Sequence, residues 1–341
     1  MQVALFEKPH SLHVTDKPLR KLRDGEILVK VEACGICGTD VHIVEGTSRS
    51  TPPVVLGHEY AGIVDDGGRN AGAVVGVKEG TRVAIDPNIA CGTCYYCRRG
   101  LVHLCSNLRA LGVDIEGGMA QYCIVPAQQA YVLPADMPPE VCAFVEPLSC
   151  AIHGIDRANI RAGDVVVILG GGTIGLLMLQ LAKNAGASAV VVVEPLADKR
   201  AIAMHLGATA TVDPGGENVR EAVVDRAPEG ADVVIECVGK TATMQLAVQL
   251  ARRGGTVEFF GVSPLGATIP VEPNLIYFKE LCIVGSYVNP HTFDRSVALL
   301  RTGAVKIGQF VIHSFPLDGV QEALSYQKEG KTLKSIIKPN M

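Results

Sequence analysis

The sequence predicts an α/β protein, with a doubly wound, six-stranded parallel sheet joined to a mostly β domain. Three observations carry this expectation. At 341 residues the chain is longer than one ordinary core accommodates, so two domains are expected. From Gly163 onward, short apolar runs alternate with segments of helix length, the pattern of strands separated by crossover helices. Before that, short Val- and Ile-rich runs are broken by Gly, Pro and Asp turns, as in a sheet of short strands.

Element by element, the first part predicts strands at Ile27–Val31, Gly62–Val64, Arg82–Ile85 and Gln121–Val125. The alternating part then predicts strand Val165–Leu169 and helix Thr173–Ala185, strand Ala189–Glu194 and helix Asp198–Leu206, strand Thr209–Val212 and helix Asn218–Arg226. Strand Asp232–Cys237, helix Thr241–Arg252 and the strands Thr256–Gly261 and Leu281–Ser286 complete six strands. The tail reads as helix Phe293–Thr302, strand Phe310–Phe315, helix Asp318–Gln327 and strand Ser335–Lys338. These readings place residues 1–150 and 287–341 in one domain and 151–286 in the other.

Composition narrows the function classes. Hydrophobic residues make up 48% and the net charge is −4, with acids and bases interspersed, so the chain is globular and no nucleic-acid partner is expected. The 18 uncharged residues between Asp164 and Lys183 match the lower limit of a membrane span. Gly170, Gly171 and Gly172 interrupt them, so a buried strand, turn and helix is expected and no membrane contact. The start, MQVALFEKPH, lacks a basic segment followed by an apolar one, which predicts a cytoplasmic chain. Its 11 cysteines, an odd number, then point away from a disulfide framework and towards metal.

Gly170-Gly171-Gly172-Thr173-Ile174-Gly175 fits G-x-G-x-x-G directly after a strand and at the start of a helix, the context a dinucleotide requires. Gly170 permits the tight turn, Gly172 lets the backbone approach a pyrophosphate, and Gly175 allows close helix–strand packing. The N-terminal N–H groups of the helix, at Thr173 and Ile174, face the phosphates. Glu194 follows Gly175 by 19 residues, where a carboxylate accepts from ribose hydroxyls and repels a 2′-phosphate, so NAD is favoured over NADP. Lys199 and Arg200 lie close by and pull the other way; Arg200 is a candidate cofactor contact.

Cys91, Cys94, Cys97 and Cys105 give C-x2-C-x2-C-x7-C, a spacing at which four thiolates close around one zinc ion and leave no open position. The lobe spans about residues 88–106. Two redox pairs and an iron–sulfur site are the alternatives. A second constellation is scattered over the first domain: Cys37, then His58 and Glu59, then Glu146. A catalytic zinc needs about three such ligands and one open position, and Cys37, His58 and a glutamate supply them. Cys34 and Cys37 also form a C-x2-C pair that could be redox-active.

The order of GICGTDVH (35–42), GHEYAGIV (57–64), GTRVA (80–84), the cysteine lobe, EPLSCAIHG (146–154) and GGGTIG (170–175) resembles the zinc-containing medium-chain dehydrogenase/reductase family over essentially the whole chain. That resemblance implies a Rossmann domain beside a GroES-like catalytic domain, two zinc ions per chain, and a homodimer or homotetramer. It implies zinc held by Cys37 and His58, with Glu59 and Glu146 competing for the third position. Asp40 would orient the His58 ring, and Thr39 and His42 would relay the substrate proton. Glu146, where alcohol dehydrogenases carry a cysteine, resembles the polyol branch typified by sorbitol dehydrogenase; threonine dehydrogenases are close relatives.

The expected reaction is oxidation of a secondary alcohol, a polyol or sugar alcohol, to the ketone with hydride transfer to NAD. Sorbitol dehydrogenases hold the sugar with an arginine–tyrosine pair, whereas this chain reads Gly-Ser-Tyr-Val-Asn-Pro at 285–290. That counts against sorbitol itself and leaves Tyr287 and Asn289 as candidate substrate contacts. Two other readings stand beside it: oxidation of an amino alcohol such as L-threonine, and a non-catalytic, zinc-stabilised NAD-binding protein.

Overall fold

The computed structural model describes residues 1–68, 76–310 and 312–341. By packing, the chain divides into Met1–Ser149 with Pro290–Thr302 and Phe310–Met341, and a second unit of Cys150–Asn289 with Gly303–Gln309.

In the second unit all six strands are parallel. Their order in space is Ala210–Val212, Ala189–Val193, Val165–Leu169, Ala231–Glu236, Ala251–Phe259 and Cys282–Gly285. The central strands are Val- and Ile-rich throughout because helices cover both faces, so neither face is free to be polar. Val167, Val191, Val234 and Val257 are fully buried in the resulting core. The uncharged run after Asp164 resolves into strand Val165–Leu169, a glycine turn and helix Thr173–Asn184; among the described residues no helix is long and apolar enough to cross a membrane.

The first unit is built on a seven-stranded sheet. Its backbone is Glu26–Gly35, which pairs antiparallel with Glu59–Asp66, Tyr122–Pro126 and Lys334–Lys338. Gln2–Lys8 and Ser11–Asp16 form a hairpin that the sequence reading did not resolve.

Several boundaries differ from expectation for identifiable reasons. Helix Thr241–Leu250 stops two residues early because Ala251 pairs with Ala231 and enters the sheet. Helix Val145–Ala158 lies in a stretch for which the sequence reading gave no element. Pro147 lies in its first turn, where a missing N–H breaks no intrahelical bond. The last parallel pair places a strand at Ile312–Pro316 instead of Phe310–Phe315, and Val311 lies outside the described residues. Residues 287–289 and 303–309, assigned by sequence to the first domain, cluster with the second unit. For the later segment the cause is visible: Gln180 accepts from the Lys306 N–H at 2.7 Å and donates to its carbonyl at 3.2 Å.

Candidate metal and cofactor sites

Strand register assembles the metal cluster. Gly35 sits opposite Glu59 and Cys34 opposite Tyr60, so the chain leaving one strand at Cys37 lies beside the chain entering the next at His58. Gly35 also pairs with Ile336 on its other side. A Cβ at Gly35 would collide with the Glu59 carboxylate, so only glycine leaves that carboxylate its place. Cys37 then caps helix Gly38–Val44, and its N–H donates to Asp40 Oδ2 at 2.8 Å.

One ligand atom each from Cys37, His58 and Glu59 lies within 4.8 Å of the others. A thiol, an imidazole and a carboxylate, mostly removed from water, form a donor set that suits zinc. Asp40, fully buried, places Oδ1 3.5 Å from His58 Nδ1. Neither atom has a partner with hydrogen-bond geometry, so the imidazole is steered by charge from that side. Burial opposes a charge on His58, yet Asp40 and Cys37 together raise its pKa well above the ordinary value. Bound zinc would displace that proton.

Glu146, 8% exposed near the start of its helix, falls outside this group. The residue that completes the surroundings is Lys334, which sequence reasoning did not single out. Its Nζ donates to Glu59 Oε2 at 2.6 Å and to the Ile36 carbonyl at 3.3 Å, with 4% of the lysine exposed and 1% of the glutamate. Burial works against its charge, but Glu59, Cys37 and Glu146 outweigh that and hold its pKa above the ordinary value. Lys334 thus engages one oxygen of Glu59, Oε2.

Thr39 and His42 share one face of the short helix, three residues apart. Thr39 Oγ1 is 3.6 Å from Cys37 Sγ, while the exposed His42 places Nδ1 3.3 Å from Thr47 Oγ1. Cys34 is fully buried in the core and belongs to neither metal group, and both it and Cys37 are free thiols.

The sulfur atoms of Cys91, Cys94, Cys97 and Cys105 also lie within 4.8 Å of one another. Backbone donors turn towards them: the Cys91 and Asn107 N–H groups reach Cys105 Sγ at 3.3 Å. The Thr93 N–H and hydroxyl bring the Cys91 thiol down to about 5, and the N–H groups of Cys97 and Ser106 bring Cys94 to about 7. Burial and the neighbouring thiols push Cys97 up to about 12, so two of the four sulfurs are readied as thiolates, the form that binds metal.

In the second unit, Gly170 has φ +103°, closed to side chains with a Cβ, and a Cβ at Gly175 would fall on the Gly170 carbonyl. Gly172 caps helix Thr173–Asn184 with open space beside it, and Thr173 and Ile174 form the first turn. Glu194, 6% exposed, accepts from the Gly171 N–H at 2.8 Å and the Leu196 N–H at 3.0 Å. The acidic side chain is thereby fixed to the glycine turn, a link the spacing alone does not reveal. Arg200 is tied to the carbonyls of Glu194 and Pro195 and to Asp213 at 3.1 Å. Tyr287 is 56% exposed and Asn289 buried.

Comparison with known proteins agrees with this geometry. Residues 23–135 match the alcohol dehydrogenase GroES-like domain family and residues 173–302 the zinc-binding dehydrogenase family. The chain is 33% identical to D-arabinitol dehydrogenase 1 of Uromyces fabae over 100% of its length and 97% of that protein. It is 36% identical to L-threonine 3-dehydrogenase of Pyrococcus horikoshii, covering 92% of this chain and 90% of the other. A zinc-binding dehydrogenase from Sinorhizobium meliloti 1021, solved bound to NADP, superposes with TM-score 0.95 at 43% identity over 99% of both chains. A register-built cluster of metal-type donors, a four-cysteine lobe and a glycine turn at a doubly wound sheet thus coincide with full-length likeness, and the chain belongs to the zinc-containing medium-chain dehydrogenase family.

Proposed function

We propose that the chain oxidises a secondary alcohol, of the polyol or sugar-alcohol class, to the ketone, with NAD as preferred hydride acceptor. The observation that carries this is the Cys37–His58–Glu59 group with Lys334 behind it: three donors of suitable chemistry and, among the described residues, no fourth protein ligand closing the set. When bound, zinc supplies a Lewis acid that acidifies an alcohol hydroxyl near neutral pH, and NAD supplies the hydride acceptor.

The protein's own groups do the rest. Cys37, His58 and Glu59 would hold the metal, and Asp40 keeps the imidazole turned towards it. Glu146 would act through a water. Thr39 and His42 lead from the buried cluster to the solvent-exposed side of one helical turn, a route by which the alcohol proton leaves. The glycine turn and the N–H groups at Thr173 and Ile174 would take the pyrophosphate, and Glu194 the adenosine ribose. Its carboxylate has acceptor positions beyond the two it uses, and these suit hydroxyls and exclude a 2′-phosphate. The cysteine lobe would hold a second, structural zinc.

Likeness to a threonine dehydrogenase over 92% of this chain supports amino-alcohol oxidation as the second reading. A panel of polyols, L-threonine and simple secondary alcohols, assayed for NADH formation, separates the two. Turnover fastest with a polyol is expected; turnover confined to L-threonine replaces the first reading with the second, and none with any alcohol overturns both.

A homo-oligomer is also proposed. Cys282–Gly285 is an open sheet edge with Cys282 exposed, and the helix just before it, Pro273–Lys279, exposes 75% of Tyr277 and 74% of Phe278.

A further inference from the structure

The second unit carries a basic depression that the proposed reaction does not use. Its volume is about 270 Å³, and Gln180, Lys183, Asn184, His205 and Lys306 line it with no acidic residue among the lining. Lys183 and Asn184 end helix Thr173–Asn184, His205 ends helix Ala197–His205, and Lys306 comes from the segment Gly303–Gln309. Among the described residues no carboxylate pairs with either lysine or with His205. Elsewhere in this unit Arg200 pairs with Asp213 at 3.1 Å and Arg252 with Asp232 at 2.6 Å, whereas Arg220, Arg226 and Lys279 bond only amide or carbonyl oxygens among the described residues.

Helix polarity explains part of this arrangement. Each helix C-terminus presents roughly half a negative charge, which accounts for Lys183 and His205. Lys306 lies in no helix, and its position is built. Gln180, 6% exposed, accepts from its N–H at 2.7 Å and donates to its carbonyl at 3.2 Å, while Asn184 Nδ2 donates to the Ala304 carbonyl at 3.0 Å. These bonds hold the backbone at Lys306, and with it place a third basic side chain, exposed, on the rim of a pocket that already holds two. Like charges held together without a counter-charge destabilise the fold slightly, and a bound anion reverses the sign of that term.

We propose that this depression binds a small phosphate-bearing anion, with Lys183 and Lys306 supplying its two lysine charges and His205 and Asn184 as further donors. It lies at the far end of the helix whose start faces the dinucleotide, about 16 Å along the axis from Thr173, so it is a separate site.

The test is calorimetric titration of the full chain, saturated with NADH to fill the nucleotide site, at constant ionic strength. Inorganic phosphate and glucose 6-phosphate are the two probes. Saturable binding of one or both is expected, and whichever binds tighter distinguishes a free phosphate from an ester. The Lys183→Gln/Lys306→Gln variant should weaken it at least tenfold, each single variant less, with NADH affinity unchanged and the melting temperature without phosphate no lower than that of the wild type. Absence of saturation by either probe, or equal binding in the double variant, overturns the proposal.

Discussion

Lys334→Met is the most informative perturbation of the metal cluster. Methionine keeps the length and apolar stem but removes the ammonium. In the protein that ammonium is 2.6 Å from Glu59 Oε2 and 3.3 Å from the Ile36 carbonyl, at a site where the two side chains are 5% and 2% exposed. Breaking a buried pair by removing one partner costs about 3–5 kcal/mol, because the remaining charge is buried and uncompensated. Here Glu59 would be left near Cys37 and Glu146, the acidic groups that now raise the lysine's pKa. Zinc brings its own positive charge to Glu59, so the loss should be large with a chelator and fall below about 2 kcal/mol with zinc saturating. Native-state hydrogen exchange of strands Glu26–Gly35 and Glu59–Asp66 reads the opening energy of the first unit alone. A loss below about 1 kcal/mol in chelator, or one equal with and without zinc, would refute a cation that stands behind Glu59. Lys334→Arg should recover much of the stability.

Three further outcomes are expected. Burial raises the Glu258 carboxyl from 4.5 to about 8, only partly offset by nearby Ser286 and Arg157, and neither carboxylate oxygen has a hydrogen-bond partner. The folded chain therefore keeps a proton that the unfolded chain releases, and the stability this gives is complete below pH 4.5 and lost as pH rises to about 8. Glu258→Gln should remove up to about 1.4 kcal/mol per pH unit of that slope in urea unfolding, and an unchanged slope contradicts it. Glu194→Gln should lower the NAD-to-NADP ratio of kcat/KM by roughly 10–100-fold, the worth of a charge-assisted hydrogen bond; an unaltered ratio removes Glu194 from cofactor choice. Light scattering should find the wild type oligomeric and Tyr277→Lys/Cys282→Lys of lower mass, whereas a monomeric wild type contradicts the edge-strand interface.

The parts of the fold visible in the sequence are those whose signal is local. Strand Val165–Leu169 and helix Phe293–Thr302 begin and end where composition places them, since an apolar run or an amphipathic stripe is written in consecutive residues. The glycine turn and the cysteine lobe are legible for the same reason. The metal cluster was legible only as a set of residue types; register, which places Gly35 against Glu59, depends on strands that the sequence showed only as fragments. Lys334 was hidden twice over. It lies 275 residues from Glu59, and a lysine in a terminal strand reads as solvent-facing until its partner is known. Glu258 shows the same limit, a carboxyl fully buried in a strand whose neighbours give no warning of it.

Metal analysis of Cys37→Ser alongside the wild type tests the proposed pair of metal sites, one catalytic and one structural, most directly. The wild type should hold two zinc ions per chain. Cys37→Ser should hold one, in the intact cysteine lobe, bind NADH as before and lose at least about 100-fold in turnover, a metal ligand mattering no less than the outer partners that support it. A variant that keeps both ions, or that turns over alcohol at the wild-type rate, would contradict a catalytic zinc on Cys37, His58 and Glu59.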